Sequence, residues 1–152
     1  MNMRILVADD ERLCRDEMVS MLHELYPDTR VEKFDDGIPL WETVKFDPDV
    51  DLVITDMSMI GMDGINLAAR ISGKFPDIQI LFQTAESESA LKQMGVQIER
   101  CLFKPVFEQD LKEKIDNLSS LPKFQIKPVR KEEPTVQEPK KRGFFGRLLQ
   151  RC

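Results

Sequence analysis

Asp51-Leu-Val-Ile-Thr-Asp56 is the stretch from which the fold is read. Leu52, Val53, Ile54 and Thr55 form a short run with no alternation of polar and apolar residues, as expected of a strand buried on both faces of a parallel sheet. Asp47-Pro48 lies before it and a glycine-containing loop, Gly61 to Gly64, follows. The run predicts a strand over 51–55 with Asp56 at its C-terminal end.

The same pattern extends in both directions. Met3–Ala8 is a second apolar run, ended by Asp9-Asp10-Glu11. Arg12–Leu25 carries Leu13, Val19, Leu22 and Leu25 near helical spacing, until Pro27-Asp28 stops it. Arg30–Phe34 reads as a short strand before a turn at Asp36-Gly37, and Ile38–Phe46 as a helix. Beyond Asp56, Ile65–Phe75 reads as a helix ended by Pro76, and Ile78–Phe82 as a strand closing at Gln83-Thr84. Ser87–Met94 is a short helix, Arg100–Phe103 a strand followed by Lys104-Pro105, and Glu108–Leu118 a final helix. Five strand–helix repeats over about 120 residues predict an α/β fold with a parallel sheet and helices on both faces. In such sheets, sites form outside the carboxyl ends of the strands.

The residues at those ends are Asp9 and Asp10, Asp56, Thr84 and Lys104. Three carboxylates, a hydroxyl and an ammonium converge on one edge. Carboxylates this close repel one another, and a hard divalent cation such as Mg²⁺, which favours oxygen ligands, relieves the repulsion. A carboxylate beside Mg²⁺ is a nucleophile for phosphorus, forming an acyl phosphate. The charge on the three equatorial phosphoryl oxygens would be met by the cation, Lys104 and Thr84. Asp56, alone at the end of the most buried strand, is the candidate nucleophile, and Asp9 and Asp10 are the candidate metal pair.

V-A-D-D-E at 7–11, I-T-D-M-S-M at 54–59, G-M-D-G at 61–64, T-A-E at 84–86 and K-P at 104–105 stand in order, each at a strand end. With these motifs the chain resembles the receiver domain of two-component response regulators, from residue 3 to about 120. The resemblance implies a flavodoxin-like, doubly wound sheet of five parallel strands. It implies that Asp56 is the phosphoacceptor and that Asp10 and Asp56 are direct Mg²⁺ ligands. Asp9 would act largely through water, and Ser58 would add its backbone carbonyl. Thr84 would be the switch hydroxyl, and Lys104, aimed by a cis bond before Pro105, would contact the phosphoryl oxygens. The implied phosphoryl donor is a histidine kinase or phosphotransfer protein, and the implied output is a contact with a downstream protein.

Two positions depart from the family pattern. Ile60 stands where a proline usually precedes the glycine of the loop. Cys101 stands three before the lysine, at the place of a tyrosine or phenylalanine that rotates with the switch hydroxyl. A thiol cannot fill or vacate that volume, and Phe103, two residues on, points to the same sheet face. Ser58 and Glu86, two after the phosphoacceptor and two after Thr84, occupy positions that set phosphoryl lifetime in the family. An alternative reading, a pseudo-receiver acting as a phosphorylation-independent scaffold, draws on Cys101 and is opposed by the intact site. A phosphatase with an aspartyl nucleophile would want an acid where Ser58 stands.

Charge divides the chain. The total is −5, but residues 122–152 hold nine Lys and Arg against three Asp and Glu, +6, which leaves −11 on residues 1–121. An acidic body argues against nucleic-acid binding. Cys14, Cys101 and Cys152 have no paired spacing and His23 is the only histidine, so no zinc site is expected. No signal peptide or membrane span is read from the apolar runs, and a cytoplasmic protein is expected. Residues 1–121 are thus assigned to a receiver domain. Residues 122–139, with Pro122, Pro128, Pro134 and Pro139 among charged residues, read as a disordered linker without an output domain. Residues 140–152, K-K-R-G-F-F-G-R-L-L-Q-R-C, place Phe144, Phe145, Leu148 and Leu149 on one helical face and Arg147 and Arg151 on another. This basic amphipathic tail suits peripheral contact with the inner face of an anionic membrane, or a protein groove.

Overall fold

The computed structural model describes residues 2–126. The linker and tail from residue 127 onward lie outside the described residues. Five strands, β1 (Arg4–Ala8), β2 (Arg30–Phe34), β3 (Leu52–Asp56), β4 (Gln79–Thr84) and β5 (Cys101–Phe103), form one sheet. All pairings are parallel and the order is β2-β1-β3-β4-β5. The connecting helices are α1 (Arg12–Leu25), α2 (Gly37–Phe46), α3 (Gly64–Lys74), α4 (Glu88–Gln93) and α5 (Glu108–Asp116). The expected architecture is present, with boundaries shifted by one or two residues. The last helix ends two residues early, at Asp116, and the chain continues as a 3-10 turn over Leu118–Ser120.

Period-two alternation along the buried strands builds two cores. Ile5, Val7, Leu52, Ile54, Leu81 and Leu102 face α1 and α5, meeting Met18, Leu22, Leu111 and Ile115. Leu6, Ala8, Val53, Ile80, Phe82 and Cys101 face α2, α3 and α4, meeting Leu40, Val44, Leu67, Ile71 and Leu91. β1 and β3 are buried at every position, which is why their sequences show no polar alternation. Each fully buried aliphatic side chain contributes about 1.5–3 kcal/mol, so this two-sided packing fixes where the strand ends lie. The chain leaves β1 toward β2 on one side and later returns to place β3 on the other. The crevice between the ends of β1 and β3 is therefore the topological switch point, where a site is expected.

Contacts continue beyond Leu121. The Arg100 guanidinium donates to the carbonyls of Ile80 and Pro122, and the Gln97 side chain donates to the Lys123 carbonyl and accepts from the Gln125 amide. The Phe124 ring lies 5.9 Å from that of Phe82 and 5.9 Å from the Arg100 guanidinium. Arg100 is 2% exposed and has no carboxylate partner among the described residues, and burial pulls its pKa down. Carbonyl dipoles and a ring face are what hold this cation in place. Replacing Phe124 with alanine should therefore loosen this strap with little loss of global stability. Limited trypsin digestion should cut after Lys123 several-fold faster in the variant, and an unchanged rate would mean that the ring does not hold the strap.

Candidate functional site

Asp9 follows β1 directly, and no part of it is exposed. Its Oδ1 accepts from the Glu11 amide at 2.9 Å, while Oδ2 accepts from the Gln83 side-chain amide and from Lys104 Nζ, each at 3.3 Å. Burial pushes its pKa up, and the neighbouring Lys104 ammonium works against that rise. Asp56 is the last residue of β3 and 5% exposed, with Oδ2 3.4 Å from the same Nζ. One ammonium thus bridges two carboxylates. Asp10 completes the cluster from the half-buried position after Asp9, and Asp9, Asp10 and Asp56 each offer an oxygen within 4.8 Å of the others.

Lys104 reaches the cleft because β5 ends at Phe103 and the next amide still bonds to the Thr84 carbonyl at 2.8 Å. The Lys104–Pro105 peptide is cis, as the resemblance implied. Thr84, buried at the end of β4, accepts at its hydroxyl from the Glu86 amide at 2.9 Å. It is not the cap of α4, because Ser87 fills that role by accepting from the Ala90 amide. Ser58 stands exposed in the loop after β3, as does Glu86 after β4.

Two residues that shape this edge escaped the sequence reading. Gln83 is 2% exposed and bonds to Asp9, and its only signal was its position next to Thr84 at a strand end. Asp36 stands in the turn before α2. Its carboxylate accepts from the amides of Ile38, Gly61 and Met62, so one side chain both caps α2 and ties down the β3–α3 loop. Where the family usually has a proline, Ile60 is 91% exposed, and the loop is held instead by this carboxylate. Cys101 is a buried free thiol whose pKa burial pushes up to about 11, and Phe103 on the same strand face is 40% exposed.

Asp9, Asp10 and Asp56 bring three carboxylates to an edge where Lys104 Nζ reaches two of them, and their oxygens lie within 4.8 Å of one another. Such a donor set fits a hard divalent cation in place of a second ammonium. The model of the response regulator receiver domain matches residues 5–116. The chain belongs to that family. This receiver is 32% identical to the response regulator receiver protein CpdR of Brucella abortus, over 76% of this chain and 95% of the relative. It is 28% identical to a chemotaxis protein CheY homolog of Campylobacter jejuni, over 76% and 92% of the two chains. It is also 28% identical to the positive alginate biosynthesis regulatory protein of Pseudomonas aeruginosa, over 85% of this chain but 52% of the relative. The chain thus spans about half the length of that protein, 64% of the sensory transduction protein LytT of Oceanobacillus iheyensis and 30% of the transcriptional regulatory protein YesN of Bacillus subtilis. Among solved structures, the signal receiver domain of NarL from Mycobacterium tuberculosis aligns with a TM-score of 0.65 at 27% identity, covering 79% of this chain and 98% of that one. No helix among the described residues is long and apolar enough to cross a membrane.

Proposed function

We propose that this receiver accepts a phosphoryl group on Asp56 from a histidine kinase or phosphotransfer protein and signals by a change of shape read by a protein partner. The bridging of Asp9 and Asp56 by Lys104 is the observation that carries the reading, because it sets an ammonium whose side chain is 9% exposed beside the oxygen that would attack. An Asp56 carboxylate oxygen forms the new bond to phosphorus while the donor's P–N or P–O bond breaks, and the leaving group departs with that bond's electron pair. The product is a mixed carboxylic–phosphoric anhydride. Lys104 holds Asp56 and would then meet the phosphoryl oxygens. Asp10 and Asp56, with the Ser58 carbonyl and with Asp9 through water, would hold Mg²⁺, which when bound supplies positive charge against the phosphoryl oxygens. The Thr84 hydroxyl, whose oxygen accepts from the Glu86 amide, would turn to donate its proton to a phosphoryl oxygen, a movement that begins in the β4–α4 loop.

Leu13 at the start of α1 and Phe107 just before α5 are 60% and 64% exposed, near the strand ends that carry the cleft. Apolar side chains in that place suit docking of a protein donor. The domain plan proposed for the whole chain is a receiver over 1–121, a linker over 122–139 whose first residues, Pro122 to Gln125, pack on the receiver, and a basic tail over 140–152.

The test is intact-mass spectrometry after incubation with Mg²⁺ and either acetyl phosphate or a phosphohistidine donor. Wild type is expected to gain one phosphoryl group, and Asp56→Asn none. Incorporation into both would move the acceptor elsewhere. Incorporation into neither, with both donors, would leave the scaffold reading in its place.

A further inference from the structure

A groove of about 680 Å³ lies between α4, the end of β5 and α5, away from the acidic cleft. Its apolar floor includes Ile98, Cys101 and Phe103. Cys101, a small thiol 1% exposed, lies at the base of the groove. Around the rim stand Glu88, Glu99, Asp110 and Glu113, all exposed, with Lys114 as the one cation. The groove is therefore apolar at its base and strongly acidic at its edge.

A matching segment exists in the same chain. Residues 140–152 carry Lys140, Lys141, Arg142, Arg147 and Arg151, no acid, and the apolar set Phe144, Phe145, Leu148 and Leu149. We propose that this C-terminal segment docks in cis in the α4–β5–α5 groove, with its apolar face on the floor and its basic residues against the acidic rim. This inference is independent of phosphoryl transfer.

Chain geometry supports the assignment. Leu121 lines the groove, and the contacts of Pro122, Lys123 and Gln125 with Arg100 and Gln97 fix the chain at its edge. Residues 127–139 then connect that edge to the basic segment. Thirteen residues behaving as a random coil would have a mean span of about 20 Å, and prolines at 128, 134 and 139 favour a longer one. A tether of this length gives an effective concentration in about the millimolar range. A segment with only millimolar affinity as a free peptide would thus be docked about half of the time. Gly143 and Gly146 lower its intrinsic helicity, so part of the contact energy goes into ordering it, and the docked state stays reversible. While docked, the segment covers Phe103 and denies the groove to a partner.

The test uses the full chain and backbone amide NMR. Phe145→Asp with Leu149→Asp is expected to shift the amides of residues 98–103 and 110–117 relative to wild type. Glu99→Lys with Glu113→Lys should release the segment equally, and adding Arg147→Glu with Arg151→Glu to that pair should restore the docked shifts. Groove amides that do not move in the Phe145/Leu149 variant would overturn the proposal. So would changes gathered around Asp9 and Asp56, or a segment that floats with anionic lipid vesicles while the groove amides stay as they are in the Phe145/Leu149 variant.

Discussion

Lys104→Met is expected to cost the folded chain about 3–5 kcal/mol in buffer containing EDTA, as is usual when one member of a buried ion cluster is removed. The side chain of Lys104 is 9% exposed, and those of Asp9 and Asp56 are 0% and 8% exposed, so solvent screens the cluster poorly. Methionine matches the length of the lysine stem but leaves two buried carboxylates without their ammonium. Gln83 and the Glu11 amide still bond to Asp9, and they are neutral donors that do not offset its charge. The cost has a ceiling. Protonating one carboxylate at pH 7 requires about 4 kcal/mol from a reference pKa near 3.9, so a variant that neutralises one group loses no more than that from it. Saturating Mg²⁺ should recover much of the loss, because an ion bound only by the folded state raises stability with the logarithm of its concentration. Urea unfolding of both proteins in EDTA and in Mg²⁺ measures all four stabilities. A variant as stable as wild type in EDTA would show that Lys104 does not balance this cluster.

How far the sequence reached can be judged from particular residues. The cores of the central strands were legible because burial on both faces leaves a short run without polar alternation, as at Leu52–Thr55, whose length and flanking turn residues mark a strand. Asp9, Asp10, Asp56, Thr84 and Lys104 were legible as a set because parallel topology sends every strand's C-terminal end to one edge. Side chains that pair across the fold were not. Asp36 reaches Gly61 and Met62 across 25 and 26 positions, and Gln83 reaches Asp9 across 74. Nothing in local periodicity encodes such a pair. Arg100 misled the reading for a related reason. It was placed in a strand, whereas it closes a 3-10 turn and its side chain is buried under Pro122 and Phe124. A buried arginine is visible in a sequence only if its acceptors are, and here these include backbone carbonyls.

Gly64→Ala should damage both stability and phosphorylation, and Gly73→Ala, in the same helix, should damage neither. Gly64 is the first residue of α3, and its amide donates to the Met57 carbonyl at 2.9 Å. A Cβ there would stand 2.2 Å from the carbonyl oxygen of Asp56 and 3.0 Å from the Cα of Met57. Both are backbone atoms of the segment that presents the Asp56 carboxylate, so no side chain can swing aside. β3 cannot retreat either, since it is paired with β1 on one side and β4 on the other, with Asp56 opposite Gln83. The helix and the loop must move instead, by about 1 Å, at a cost of about 3 kcal/mol. A displacement of that size near reacting atoms slows a reaction about 100-fold. The glycine is needed here for close approach. At Gly73 an added Cβ meets nothing within 4 Å, so alanine should raise stability by up to about 1 kcal/mol through its better helix propensity. Thermal melts and the rate of phosphoryl incorporation from acetyl phosphate, measured on both variants, separate a site-specific clash from a general intolerance of α3 to substitution. If Gly64→Ala melts and reacts like wild type, the approach of α3 to the Asp56 carbonyl does not constrain the Asp56 carboxylate. If Gly73→Ala fails as well, helix α3 as a whole, and not its first residue, limits the site.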